Sequence, residues 1–277
     1  MSRPTTAVSV AFALALGMGA GCGGATKPSP GAAVLASSAT AAPAQTTMGD
    51  TELIVVPPSG GVVTTFQTDV AVAASSYTGD TISRAVVGLR FQPVANRSDD
   101  TNAIYLKITL ENTAAGLLAK RYFFECTDPV DCSTSTTVGQ QTGGAWANGG
   151  VDVTLGAVYT ASISWDPTAK IVTYTLSSSG STVATATVDL MQAVPGSVAL
   201  APPFDVSAAG FKSAFLASQV RGGAAGGGNG SMTARFDAVN VGLDGKAASL
   251  FDDFDSESAF DPARWSVRGD GAAITSN

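Results

Sequence analysis

The sequence contains no His, so carboxylates carry most of the chemistry open to it. Without imidazole there is no Ser-His or Cys-His nucleophile pair, no His general base and little scope for catalytic zinc. Retaining glycoside hydrolysis needs two carboxyl groups on one face, roughly 5–5.5 Å apart. The Glu residues are Glu52, Glu111, Glu125 and Glu257, and none falls in a spacing that pairs them on a strand. Asp252, Asp253 and Asp255 cluster, but Asp252 and Asp253 would point to opposite faces of an extended segment. No Gly-x-Ser-x-Gly elbow is present, and Gly222–Gly230 has neither the Lys nor the following helix of a phosphate cradle. The expectation is a protein that is not an enzyme.

Binding chemistry is better provided for. Sugar recognition on a sheet uses an aromatic face for stacking and planar polar groups for hydroxyls. Trp146, inside Gly143-Gly144-Ala145-Trp146-Ala147-Asn148-Gly149-Gly150, is the best aromatic candidate; the alternative is a Trp folded back over an open end of the core. Tyr105 and Lys107 fall on the wet side of one extended segment, Arg90 and Gln92 on the wet side of another. If those segments are neighbours, the four make one concave polar patch, or else a solvated face of cross-strand pairs. Trp165 and Trp265 are assigned to the core. No resident cofactor is expected. Oxygen ligands for calcium could come from Asp99, Asp100 and Asn102 or from Asp252, Asp253 and Asp255, although neither set follows a recognisable loop signature. The plainer reading of both sets is solubilising acidic loops. A net charge of −7 argues against nucleic acid as a partner.

Ala7–Met18 is an apolar run of signal-peptide length behind Arg3, too short to span a bilayer as a helix. It leads into Gly19-Ala20-Gly21-Cys22. Ala20, Gly21 and Cys22 resemble the lipobox of bacterial lipoproteins, with Gly19 where Leu is usual. The resemblance implies acylation of Cys22, a signal peptide over residues 1–21 and a membrane-anchored protein of the cell envelope; secretion after cleavage at a nearby small residue is the alternative. Residues 22–50, rich in Ala, Ser, Thr and Pro, read as a disordered spacer. Cys126 and Cys132 remain, and outside the cytoplasm two thiols this close are expected to form a disulfide. A metal site would lack further ligands, and a catalytic dithiol would favour Cys-x-x-Cys.

From residue 51 the apolar period is two. Ile104, Leu106, Ile108 and Leu110 alternate with Tyr105, Lys107, Thr109 and Glu111. Similar alternation runs through Val87–Gln92, Phe66–Val72, Tyr159–Trp165, Val172–Leu176 and Met232–Leu243. Asp166-Pro167-Thr168 and the segment around Gly180 supply hairpin turns. About ten to twelve strands are expected, with Leu190–Val194 and Lys246–Leu250 as the best short helices. Strands with one apolar face need a second sheet over them. The expected fold is therefore all-β: one two-layer antiparallel sandwich over residues 51–277, with Gly222–Gly230 as a long loop.

Tyr159 to Trp165 with Ile171 to Leu176, and Phe236-Asp237-Ala238-Val239-Asn240-Val241, resemble strands of concanavalin A-like lectin/glucanase domains. Phe251-Asp252-Asp253-Phe254-Asp255, with Phe260-Asp261-Pro262 and Arg264-Trp265, resembles the opening segment of laminarinase-like members, although here it closes the chain. The resemblance implies a jelly-roll, lectin-like sandwich completed by this last segment; alternatively the segment is a remnant of a second repeat. It further implies a surface lipoprotein whose non-catalytic domain binds carbohydrate or polysaccharide, or mediates surface contacts. The rivals are an envelope assembly module working through protein contacts and a degenerate glycosidase. Oligomeric state is left open.

Overall fold

The computed structural model describes residues 31–41, 48–57, 61–79, 81–92, 103–126, 135–138, 140–143, 146, 150–192, 197–198, 211–222, 228–255 and 257–276. Among them every regular element is a strand. The first six are β1 (Gly31–Ala41), β2 (Met48–Val55), β3 (Val63–Tyr77), β4 (Ile82–Gln92), β5 (Ile104–Thr113) and β6 (Gly116–Cys126). Then come β7 (Ser135–Val138), β8 (Gln140–Gly143), β9 (Val151–Asp152), β10 (Tyr159–Asp166), β11 (Ile171–Ser178) and β12 (Ser181–Asp189). The last are β13 (Ser197–Val198), β14 (Phe211–Arg221), β15 (Gly228–Leu243), β16 (Ser249–Asp252), β17 (Trp265–Arg268) and β18 (Ala272–Ser276).

They form two sheets. Sheet 1 runs β18-β1-β15-β3-β10-β11-β12-β8, with β16 also on β15; sheet 2 runs β13-β7-β6-β5-β4-β14-β2-β17, with β9 also on β6. The pairings are antiparallel apart from β13 on β7. Phe66, Ile163, Trp165, Tyr174, Leu176 and Phe236 from sheet 1 meet Val87, Leu89, Leu106, Ile108 and Leu216 from sheet 2 in one buried core. The Tyr174 hydroxyl crosses between the layers to donate to the Tyr122 carbonyl at 3.1 Å. The fold is thus an all-β two-layer sandwich. No helix among the described residues is long and apolar enough to cross a membrane.

The hairpin at Asp166 forms as the sequence implies. The Asp166 carboxylate accepts from the amides of Thr168 and Ala169, and Lys170 takes φ 59°. The β11–β12 turn places Ser179 and Gly180 at positive φ, the twist that continues into a two-residue hairpin.

Three expectations are corrected. The domain begins before residue 51: β1 and β2 lie inside the stretch read as a spacer. Ala33 and Leu35 are fully buried, and β1 pairs with both β15 and β18. Two flanking strands satisfy its backbone, which outweighs its small side chains. Lys246–Ala248 is irregular and Ser249–Leu250 already belong to β16, so no helix forms there, and Leu190–Met191 is a turn. Gly228–Gly230 belong to β15 rather than to a loop, because Gly230 fits against Thr81, Ser83 and Val220, where a side chain would collide.

The closing segment completes the sandwich. β16 and β18 join sheet 1 and β17 joins sheet 2. Asp252 organises it: one carboxylate oxygen accepts from the Phe254 amide at 2.9 Å, the other from Trp265 Nε1 at 2.6 Å. Phe254 adopts φ 56° and its ring packs 5.7 Å from Trp265 and 6.1 Å from Phe260.

Candidate functional site

The two sheets turn very different outer faces away from the core. On sheet 2, register lines up four rows. Ser213, Arg90, Tyr105 and Phe124 form one; Ile54, Phe215, Gly88, Lys107 and Tyr122 form the next. Glu52, Ala217, Val86, Thr109 and Lys120 follow, then Asp50, Gln219, Arg84, Glu111 and Leu118. Arg90, Tyr105 and Lys107 therefore do share one face of neighbouring strands. Arg90 Nη1 donates to the Tyr105 hydroxyl at 3.3 Å.

The expected wetness of that face is corrected. Arg90 is 2%, Tyr105 5% and Lys107 3% exposed, and Val86, Phe215 and Ala217 beside them are wholly buried. Alternation identifies side chains on a common face but carries no information about whether that face is covered. Gln92 ends β4 opposite Phe211, and its side chain lies outside the described residues. Trp146 is also corrected: it is 4% exposed, packs in the main core and donates Nε1 to the Ala119 carbonyl at 3.2 Å. It offers no open stacking surface.

This enclosed face is a polar and aromatic layer. Lys107 Nζ sits 4.3 Å from the Tyr105 ring centroid, 5.2 Å from Phe124 and 5.6 Å from Phe215. The tip of the Phe215 ring fills the space a side chain on Gly88 would need. Burial, then the charges of Arg84 and Arg221, hold the Lys107 ammonium well below its usual range, with Glu52 and Asp50 opposing. A hydrogen-bonded chain crosses the last row. Arg84 Nε donates to Gln219 Oε1 at 2.9 Å, and Gln219 Nε2 donates to Asp50 Oδ2 at 3.1 Å. Glu111, fully buried, accepts from Thr109 at 3.0 Å and meets Lys120 at 3.0 Å and Arg84 at 3.7 Å. Burial and then Glu111 raise the Tyr122 hydroxyl. Burial and the neighbouring Glu52 push Asp50 up to about 7.

Asp50, Arg84, Phe215 and Gln219 were not singled out by sequence, and Glu52 and Glu111 were named for chemistry only as acids that lack a hydrolase partner. The signal was there: Asp50 and Glu52 alternate with Leu53 and Val55, but a domain boundary drawn at residue 51 hid it.

Sheet 1 has the accessible face. Its register aligns Thr65, Ser164, Thr173 and Thr187, then Gln67, Ser162, Thr175 and Thr185, then Asp69, Thr160, Ser177 and Thr182. Thr182 and Thr185 are exposed and the other ten half-buried. Asp69, the one charge in these three rows, accepts from the Thr160 hydroxyl at 2.6 Å; Asp237 stands opposite it, and Asp166 and Asp189 lie in the next row of the same face. Elsewhere, a cleft of about 340 Å³ opens between Gly61, Leu243, Asp244, Lys246 and Ser249. There Asp244 is engaged by the Val62 amide at 2.9 Å.

The acidic sets considered for calcium divide. Asp99, Asp100 and Asn102 lie outside the described residues. Asp252, Asp253 and Asp255 accept backbone or indole N–H groups within their own fold, Asp255 from the Gly31 amide at 3.0 Å. Among the described residues no group of three or more Cys, Asp or Glu is placed to hold a metal ion. Cys126 is fully buried at the end of β6; Cys132 and Cys22 lie outside the described residues.

No protein-family model matches the chain, and no curated protein does. Similar solved structures include the lectin UEA-II complexed with galactose, 15% identical over 73% of this chain and 86% of that one, with a TM-score of 0.31. Lectin II from Ulex europaeus is 12% identical over 73% of this chain and 91% of its own, TM-score 0.30. Basic winged bean lectin with Tn-antigen is 9% identical over 76% of this chain and 100% of its own, TM-score 0.26. At such distances the description of this chain as a two-sheet, all-β sandwich rests on its own strand register.

Proposed function

We propose that this chain is an exported, lipid-anchored protein of the cell envelope whose non-catalytic sandwich binds neutral carbohydrate on the outer face of sheet 1. The observation that supports this reading is the array of twelve in-register polar side chains, eleven of them uncharged, on an accessible face. Adjacent strands lie ~4.8 Å apart and same-face residues along a strand ~6.7 Å apart. Hydroxyl and amide groups at that spacing both donate and accept, as sugar hydroxyls do. The carboxylates around the array, Asp69, Asp166, Asp189 and Asp237, give it no hold on an acidic polymer. Binding at such a shallow surface is weak per site and gains from many copies on one membrane, which an acyl chain at Cys22 would supply. A Cys126–Cys132 bridge is part of the proposal, supported by the closeness of the two Cys in sequence and the burial of Cys126 at the end of β6. No cofactor is required.

The test is binding of the soluble domain to neutral and acidic polysaccharides, with Thr175→Val and Thr182→Val combined. Retention on a neutral glycan is expected, insensitive to salt. The double variant should lose about thirtyfold in affinity, since each hydroxyl contributes about 1 kcal/mol. Its thermal midpoint should be unchanged. Failure of every neutral glycan to bind, or equal binding by the variant, refutes this reading. Separately, cells grown with a labelled fatty acid are expected to label this chain and not Cys22→Ala; equal label in both removes the anchor.

A further inference from the structure

The polar rows on the outer face of sheet 1 end beside two exposed valines. Val158 lies two residues before Thr160 with the buried Tyr159 between them, so both turn to the same side of the sheet. The Val158 carbonyl accepts from the Ser178 hydroxyl at 3.3 Å, which holds it against the end of β11. Val183 reaches the same face through a bulge. Leu176 pairs with Ala184 and Ser177 with Thr182, which leaves Val183 as the extra residue of β12. Ala184 points into the core, 4% exposed, so Val183 points out. The row of Thr160, Ser177 and Thr182 thus has a valine beside each end.

The fold does not require these methyl groups. Val158 is 56% and Val183 40% exposed, and neither belongs to the buried core. Thr has the same branched outline and the same preference for strands, and Thr and Ser fill most of this face. Among the described residues six large apolar side chains are exposed, and Leu155, in the turn before Val158, makes three of the six at this corner. Grouped exposure of this kind marks a contact site, whereas scattered single residues do not. The two valines are nevertheless separated by Ser177, so each is a methyl-sized apolar spot among hydroxyls. A protein partner would cover about 800 Å² a side around a continuous apolar centre. The ligand that matches isolated spots is itself polyhydroxylated and carries isolated methyl groups.

We propose that Val158 and Val183 are specificity residues for 6-deoxyhexoses, neutral sugars that carry a methyl group where an ordinary hexose carries a hydroxymethyl. This rests on the carbohydrate reading of the same face. Hydroxyls of the sugar meet Thr160, Ser177 and Thr182, and its methyl group lies on one of the valines. An ordinary hexose sets its C6 hydroxyl against the same valine, partly removed from water and without a hydrogen-bond partner. The valines stand about two strand spacings apart, ~9.6 Å, so they address different sugars of one chain.

The test titrates the mature chain with polymers carrying L-fucose or L-galactose, L-rhamnose or L-mannose, and D-quinovose or D-glucose. The members of each pair differ only by the hydroxyl at C6. In at least one pair the 6-deoxy sugar is expected to bind about fourfold more tightly, the worth of one methyl-sized group taken out of water. Val158→Thr combined with Val183→Thr should abolish that preference while leaving the hydroxylated sugar's affinity and the thermal midpoint unchanged. Equal binding within every pair by the unaltered chain overturns the proposal, as does a preference that survives in the double variant. If neutral polysaccharides still bind in either case, the carbohydrate reading stands without it; if none binds, both fall. Should the variant not fold, the preference of the unaltered chain decides.

Discussion

Replacing Trp265 by Ala is expected to cost about 3–5 kcal/mol, the range for emptying a buried aromatic site. Trp265 is 2% exposed, its ring lies 5.4 Å from Phe251 and 5.7 Å from Phe254, and its Nε1 is a donor to Asp252. Two losses therefore coincide: a cavity opens between the sheets, and a carboxylate 3% exposed loses its shortest hydrogen bond. Trp265→Phe separates them. It keeps most of the ring contact and leaves Asp252 short of a donor, for about 1–3 kcal/mol. Chemical denaturation followed by circular dichroism gives both values. Ending the chain at Leu250 should leave no cooperative unfolding transition, because both sheets lose strands at once. A shortened chain that unfolds at the original midpoint would identify the last segment as a dispensable remnant.

Removing the Glu111 side chain should do comparable damage for a different reason. Glu111→Ala is expected to destabilise by about 3–5 kcal/mol, as breaking a buried charge cluster does. Glu111 is fully buried and faces Lys120, Arg84 and Thr109. Its loss leaves Arg84, only 13% exposed in its side chain, without its balancing carboxylate. Glu111→Gln retains the Thr109 contact and should cost less. Urea unfolding of both variants measures the difference. A Glu111→Ala chain within 1 kcal/mol of the original would mean that solvent reaches this layer freely.

Much of the core was legible because alternation is a direct consequence of strand geometry. Ile104, Leu106, Ile108 and Leu110 face inward as read, and Trp165 and Trp265 are buried as read. The Asp-Asp-Phe segment was legible only through its resemblance, which left completion of the sandwich and a remnant of a second repeat both open. β1 was not legible. Ala33 and Leu35 are too small a signal against Ser and Thr, and what makes them a strand is pairing with residues near the other end of the chain. The grouping of Arg90, Tyr105 and Lys107 could be read from period two, since register follows from it. Their enclosure could not, because cover is a tertiary property. Trp146 misled through its Gly-rich neighbours, which read as freedom although the indole has a fixed acceptor in Ala119.

β1 has β18 on one side and β15 on the other, so Ala33 waits for both Phe236 and Ile274. Those partners follow it by roughly two hundred residues or more, so the sandwich cannot shut until they too have been made. Closure then demands a long search, since contacts this remote in sequence slow folding. Until then one flank of β1 has no partner for its backbone groups.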